Sequence, residues 1–223
     1  MADGRGPRRR RMALWCGGLL TVLMVLAGCA APEYTYVTNS TDRTYLKIPA
    51  TWRPIDPKAI DAALGLDTTV KDSERGLWLQ GYDADAEAPK RWSASAPATL
   101  IGVQDVPMSA RGSYSLDKLR DLFYPVSPSS QQQAAADPTS VVQDLSVMSD
   151  EVLTPGDGVR GVHTVFRYRV AGGPPQVMDQ TLYLNDDASK LYLFFVRCST
   201  ECYQQRQKEI TNVVSSFTVL EKL

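Results

Sequence analysis

Two cysteines and a single histidine are the first residues whose types and spacing could do chemistry. Cys198 and Cys202 are separated by three residues, Ser-Thr-Glu. The spacing puts Cys198 at the end of a strand and Cys202 in the first turn of the helix that follows. In an oxidising compartment such a close pair forms a disulfide. The loop it closes is so short that chain entropy contributes only about 2 kcal/mol, so its work would be to fix the strand-to-helix corner. A redox pair is a second reading, because a helix N-terminus lowers a thiol pKa, although dithiol redox motifs carry a two-residue spacer. Free thiols are a third. A zinc site would need two more ligands, which one histidine cannot supply.

His163 alternates along an apolar stretch and shares its face with Arg167 and Arg169. It reads as a half-exposed strand residue, or as a general base if a carboxylate lies beside it in a cleft. Arg167 and Arg169 read as solvent-facing strand residues or as an anion patch. Asp83, Asp85 and Glu87 place three carboxylates at alternate positions, without the glycine turn and closing glutamate of a calcium loop; they read as a solvated loop. Trp92 stands beside Lys90 and Arg91 in a polar segment, as loop packing or as an exposed contact point. The sequence contains no Gly-x-Ser-x-Gly elbow and no phosphate-cradling glycine loop. No catalytic residue, metal or cofactor is therefore assigned.

The elements that must hold these residues follow from periodicity. Thr44–Ile48 reads as a strand ending at Pro49, and Trp52 as an aromatic anchor. Residues 57–66 read as a helix, with Asp56 as N-cap, Pro57 in the first turn and Gly65 near the end. Strands are expected over 77–82 and 100–106, with a polar loop over 83–99. Ser115 can cap a helix carrying Leu116, Leu119, Leu122 and Phe123 on one face. Residues 126–140 show no apolar period and read as a loop. Four strands follow, over 141–153, 159–170, 177–184 and 191–196. The last is apolar on both faces, which places it centrally with cover on both sides. Residues 200–216 read as a helix with a buried stripe of Ile210, Val213, Val214 and Phe217. The order gives an α+β fold, an antiparallel sheet flanked by helices.

Length and charge set outer limits. The chain has 223 residues, 43% hydrophobic and 22% charged, with net charge −1. That composition supports one globular domain with additional sequence. It lacks the basic excess of a nucleic-acid binder.

The additional sequence is an N-terminal address. Arg5 and Arg8–Arg11 precede a 16-residue apolar run from Ala13 to Gly28. As a helix this run would span about 24 Å, short of the roughly 30 Å hydrocarbon core. A charged region, a short apolar region and small residues at the boundary mark a secretory signal. Leu26-Ala27-Gly28-Cys29 resembles a bacterial lipobox. The resemblance implies cleavage before Cys29 and transfer of diacylglycerol to its sulfur, and two acyl chains give stable anchoring. The expected organisation is a signal peptide over 1–28, a lipidated tether over 29–43 and a single domain over 44–223. Cleavage removes five arginines and Asp3 from 24 basic and 25 acidic residues, leaving 19 and 24, net −5. Such a body is not drawn to anionic lipid by charge. A plain secretory signal or an uncleaved anchor are the alternatives.

Two short segments carry a further resemblance. Tyr45-Leu-Lys-Ile-Pro49-Ala-Thr-Trp52 is similar to the opening strand, proline and tryptophan of the PsbP-like family, which includes photosystem II extrinsic proteins, Mog-type proteins and LpqN-type bacterial lipoproteins. Ser216-Phe217-Thr-Val219, after a helix with Ile210, Val213 and Val214, is similar to that family's closing strand. The resemblance implies a PsbP-like α/β/α sandwich serving as a binding or assembly platform, and it transfers no catalytic residues. The Cys198/Cys202 pair and the 126–140 segment depart from it. The expectation is a lipid-anchored, non-enzymatic lipoprotein on the extracytoplasmic face of the cell membrane. It would bind a protein partner or an apolar ligand, with Trp92, Arg167 and Arg169 as contact candidates. An envelope hydrolase or thiol-redox enzyme using His163 or Cys198/Cys202, and a structural surface protein without a ligand, are the alternatives.

Overall fold

Alternating apolar residues between 159 and 199 build the centre of the molecule. The structure, a computed structural model, describes residue 1 and residues 32–85, 95–156 and 158–220. The body from Glu33 onward holds ten strands and seven helices among these residues. The strands are β1 (Tyr34–Asn39), β2 (Thr44–Pro49), β3 (Arg53–Pro54), β4 (Leu77–Asp83), β5 (Ala98–Asp105), β6 (Val142–Leu153), β7 (Val159–Val170), β8 (Gln176–Asn185), β9 (Lys190–Ser199) and β10 (Thr218–Val219). The helices are α1 (Pro57–Leu64), α2 (Asp72–Arg75), α3 (Met108–Arg111), α4 (Leu116–Arg120), α5 (Pro128–Ala136), α6 (Thr200–Gln205) and α7 (Gln207–Val214).

Seven strands form an antiparallel sheet in the order β3-β4-β5-β9-β8-β7-β6. β9 is central, as its two apolar faces require. Its even residues Tyr192, Phe194, Val196 and Cys198 join a core with Trp52, Cys202, Ile210, Val213 and Phe217. Its odd residues Leu191, Leu193 and Phe195 join the opposite core with Ile60, Leu119, Phe166 and Tyr168. Burying each such aromatic or aliphatic side chain is worth about 1.5–3 kcal/mol. The protein is therefore α+β, with antiparallel sheets flanked by helices.

A second, smaller sheet has the order β1-β2-β10. The two segments that carry the family resemblance meet in it. Thr218 pairs with Tyr45 and Val219 with Thr44. The Ser216 hydroxyl accepts from the Lys47 amide at 3.0 Å, and Trp52 Nε1 donates to Glu209 Oε1 at 2.8 Å.

Local chemistry explains the helix boundaries. Asp56 accepts from the Lys58 amide, and Gly65 closes α1 at φ +66°, a left-handed conformation that glycine adopts without Cβ strain. Ser115 caps α4 through the Lys118 amide.

Three expectations are corrected. Tyr34–Asn39, expected within the tether, is a strand: Val37 is buried in the core, and six residue pairs join β1 to β2. Residues 126–140, expected as a loop, contain α5. Ser127 caps it, Pro128 starts it, and a Gln/Ala run with high helix propensity sustains it without burying a residue. The helix expected over 200–216 is broken at Arg206, which separates α6 from α7.

Candidate functional site

The short helix α6 gathers most of the residues that the sequence singled out. Ser199 caps it by accepting from the Cys202 amide. This turn brings Cys202 over the end of β9, where it faces Cys198. Both are buried free thiols; the expected disulfide is not formed in this structure. The neighbouring Cys202 thiol, and then burial, push the Cys198 thiol up in pKa. The Cys202 thiol is lowered by its Cys198 neighbour, with burial opposing and Arg206 adding its positive charge. The asymmetry places any thiolate on Cys202.

One residue further, the Tyr203 hydroxyl donates to Asp179 Oδ2 at 2.8 Å. The other carboxylate oxygen, Oδ1, lies 2.8 Å from His163 Nε2. Asp179 is 4% exposed. It sits one rung from His163 on the same face of the sheet, since Asp179 pairs with Val165 and His163 with Thr181. The hydrogen bond to Asp179 raises the His163 pKa; burial opposes it and Glu151 adds to it. Burial, followed by the neighbouring Asp179 charge, raises that of Tyr203, which stays protonated as a donor. His163 thus has its carboxylate. Both oxygens of that carboxylate are taken, one by the strand histidine and one by the helix tyrosine. The trio ties α6 to the sheet.

The third group opens to solvent. Arg167, Arg169, Ser146, Asp144, Pro175 and Thr200 line a cleft of about 460 Å³ where β6, β7 and α6 meet. Arg169 Nε pairs with Asp144 Oδ2 at 2.9 Å, across an irregular register where Asp144 takes φ +53°. Arg167 is exposed and has no ion-pair partner among the described residues.

Other candidates fall elsewhere. Asp83, expected in a solvated loop, is instead the buried last residue of β4, paired with Ala98, and its Oδ1 accepts from the amide of Asp85 at 2.8 Å; Glu87 lies outside the described residues. Trp92, Cys29 and the segment before residue 32 also lie outside them. Sequence reasoning missed Asp179 and Tyr203. Asp179 did carry a signal, as an acidic residue inside the apolar run of β8, where a buried charge needs a partner.

The long edge of the large sheet is a further feature. β6 is twelve residues long, is paired among the described residues only with β7, and exposes Val147 (38%), Met148 (59%) and Val152 (54%). Edge strands are usually blunted by charge, bulges, proline or brevity; this one is long and sets its three exposed apolar residues among the acidic Asp144, Asp150 and Glu151 and two shifts of register.

The fold defined here is the PsbP-like sandwich. Cyanobacterial PsbP (CyanoP) from Synechocystis sp. PCC 6803 is similar to it in structure, with a TM-score of 0.50 and 15% identity over 86% of this chain and 95% of that one. The chain is also similar to LpqN of Mycobacterium tuberculosis, a protein involved in cell envelope biogenesis, with a TM-score of 0.43 and 10% identity over 84% of this chain and 91% of that one. The Ran-binding protein Mog1p of Saccharomyces cerevisiae gives a TM-score of 0.43 and 8% identity over 84% of this chain and 96% of that one. No protein-family model and no curated protein sequence matches the chain.

Proposed function

We propose that this protein is a non-enzymatic, lipid-anchored module of the cell envelope that binds a protein partner along β6. The observation that carries the binding reading is the exposed apolar edge at Val147, Met148 and Val152. An unpaired strand edge offers a row of backbone donors and acceptors, to which an extended segment can add as a further strand. The apolar side chains supply the pockets or knobs that make such addition selective. The anchor reading is supported by the lipobox-like Leu26-Ala27-Gly28-Cys29. Among the described residues no helix is long and apolar enough to cross a membrane.

The test is site-specific photocrosslinking in intact membranes, with the reactive group at position 148 and a control at Met108, which is 81% exposed on α3. A discrete adduct at 148, absent at 108 and lost with Val147→Lys and Val152→Lys together, is the expected result. No adduct at 148, or one that survives both lysines, contradicts the reading.

An apolar ligand is the second reading, favoured by one observation. Leu64, Leu122, Phe123, Tyr124, Met178 and Phe195 line a cleft of about 460 Å³ beside α1 and α4. Saturable binding of a fluorescent fatty acid that weakens with Phe123→Ala would support it, and an absence of saturable binding would remove it.

A further inference from the structure

The outer face of the small sheet carries the exposed aromatic residues of the body among those described. Strand pairing sets this face: Tyr36 lies opposite Lys47, and Thr38 opposite Tyr45, which also pairs with Thr218. The alternate residues Val37, Leu46 and Ile48 point inward and are buried. Tyr36 is 71% and Tyr45 37% exposed, and no other aromatic residue among those described is classed as exposed. Both exposed aromatics therefore stand on one face of one three-stranded sheet. Lys47 Nζ lies 4.3 Å from the centre of the Tyr34 ring on the same face. Exposed tyrosines with a lysine between them are the residues that settle at a bilayer interface. The ring sits among the glycerol and acyl boundary, while the hydroxyl and the ammonium stay hydrated.

Chain length would keep this face within reach of a lipid surface if Cys29 is acylated. Tyr34, the first residue of β1, is five residues after Cys29. Fully extended, five residues reach about 18 Å, and the polar headgroup layer is itself about 5–8 Å thick. An acylated Cys29 would hold the start of β1 within one short tether of the headgroups. The net charge of −5 on the mature chain supplies no overall attraction to anionic lipid, so orientation falls to local interfacial groups. Glu33, next to Tyr34 at the start of β1, raises the pKa of the Tyr34 hydroxyl.

We infer that Tyr36, Tyr45 and Lys47 seat the domain on the lipid surface beside its own anchor, fixing its orientation on the membrane. This inference rests on acylation at Cys29. The test uses the full chain, purified from membranes, checked by intact mass and reconstituted in phosphatidylethanolamine/phosphatidylglycerol vesicles. A nitroxide is placed at Thr38→Cys on the proposed face or at Met148→Cys on β6, and the chain without an added cysteine is the labelling blank. Collision with a water-soluble nickel chelate should fall several-fold at 38 relative to 148. It should recover when Tyr36→Ser and Tyr45→Ser are combined, with circular dichroism unchanged. A label at 38 as open as the one at 148, on protein carrying the diacylglycerol mass, overturns the seating and leaves the anchor standing. Protein without that mass overturns the anchor and the seating together.

Discussion

Removing one hydroxyl should loosen the corner at which α6 meets the sheet. Tyr203→Phe keeps the ring and its packing against the core but deletes the hydrogen bond to Asp179 Oδ2. A hydrogen bond to a charged acceptor contributes about 1.5–3 kcal/mol. Asp179 is almost fully buried, so water cannot easily replace the donor, whereas Tyr203 is only half-buried. The two facts together place the loss near 2 kcal/mol. For a domain of this size each kcal/mol moves the unfolding midpoint by about 2–4 °C. The expected drop is therefore about 4–8 °C, read by circular dichroism on the soluble body at pH 7. Because Tyr203 and Asp179 are in contact, the change should be non-additive with Asp179→Asn. A midpoint unchanged within about 1 °C, or full additivity with Asp179→Asn, would refute the strut.

The same trio predicts a pH dependence. His163 is raised above its ordinary pKa in the folded protein, so its contribution is fully present below pH 6.5. It should be lost as pH rises through the raised folded value, and Asp179→Asn should flatten that slope in a thermal-melt series. Asp121 acts in the opposite direction: burial opposes ionisation, but hydrogen bonds from Ser127 and Ser130 outweigh it and lower the pKa. Its stabilisation is present above pH 3.8 and is lost as pH falls through the lowered value, a loss that Asp121→Asn should remove from an acid titration. Gly161→Ala should prevent folding or cost more than about 4 kcal/mol. A Cβ there would lie 1.9 Å from the Leu182 carbonyl oxygen, and loss of native far-UV dichroism would report it. Iodoacetamide should modify Cys202 before Cys198 in the native protein, with the preference lost in denaturant. Peptide mass spectrometry that finds Cys198 modified first would contradict the opposite pKa shifts of the two thiols.

What was legible in the sequence follows the reach of each signal. β9 was placed centrally because both its faces are apolar, and Asp56, Pro57 and Gly65 marked α1 because capping is local chemistry. The small sheet was only half legible. β2 and the closing strand were visible through Pro49, Trp52 and Phe217, but Tyr34–Asn39 carries one buried residue, Val37, and its β-character depends on pairing with β2. α5 buries nothing, so it leaves no periodic trace, and only Ser127-Pro128 marks its start. At the candidate site, alternation placed His163, Arg167 and Arg169 on one face. The partner of His163, Asp179, comes from another strand, and Tyr203, which shares that carboxylate, comes from a helix forty residues later in the chain than His163, a distance that periodicity does not bridge. The cysteine spacing correctly put both sulfurs at one corner. Their thiol state depends on the chemistry of the compartment, which spacing does not encode.

Intact-mass analysis of the membrane fraction, comparing wild type with Cys29→Ala, tests the central claim most directly. The account predicts loss of residues 1–28 and a diacylglycerol-sized gain that the variant lacks. A chain that retains residues 1–28, or a released mature chain without added lipid, would contradict the anchor on which the proposed role depends.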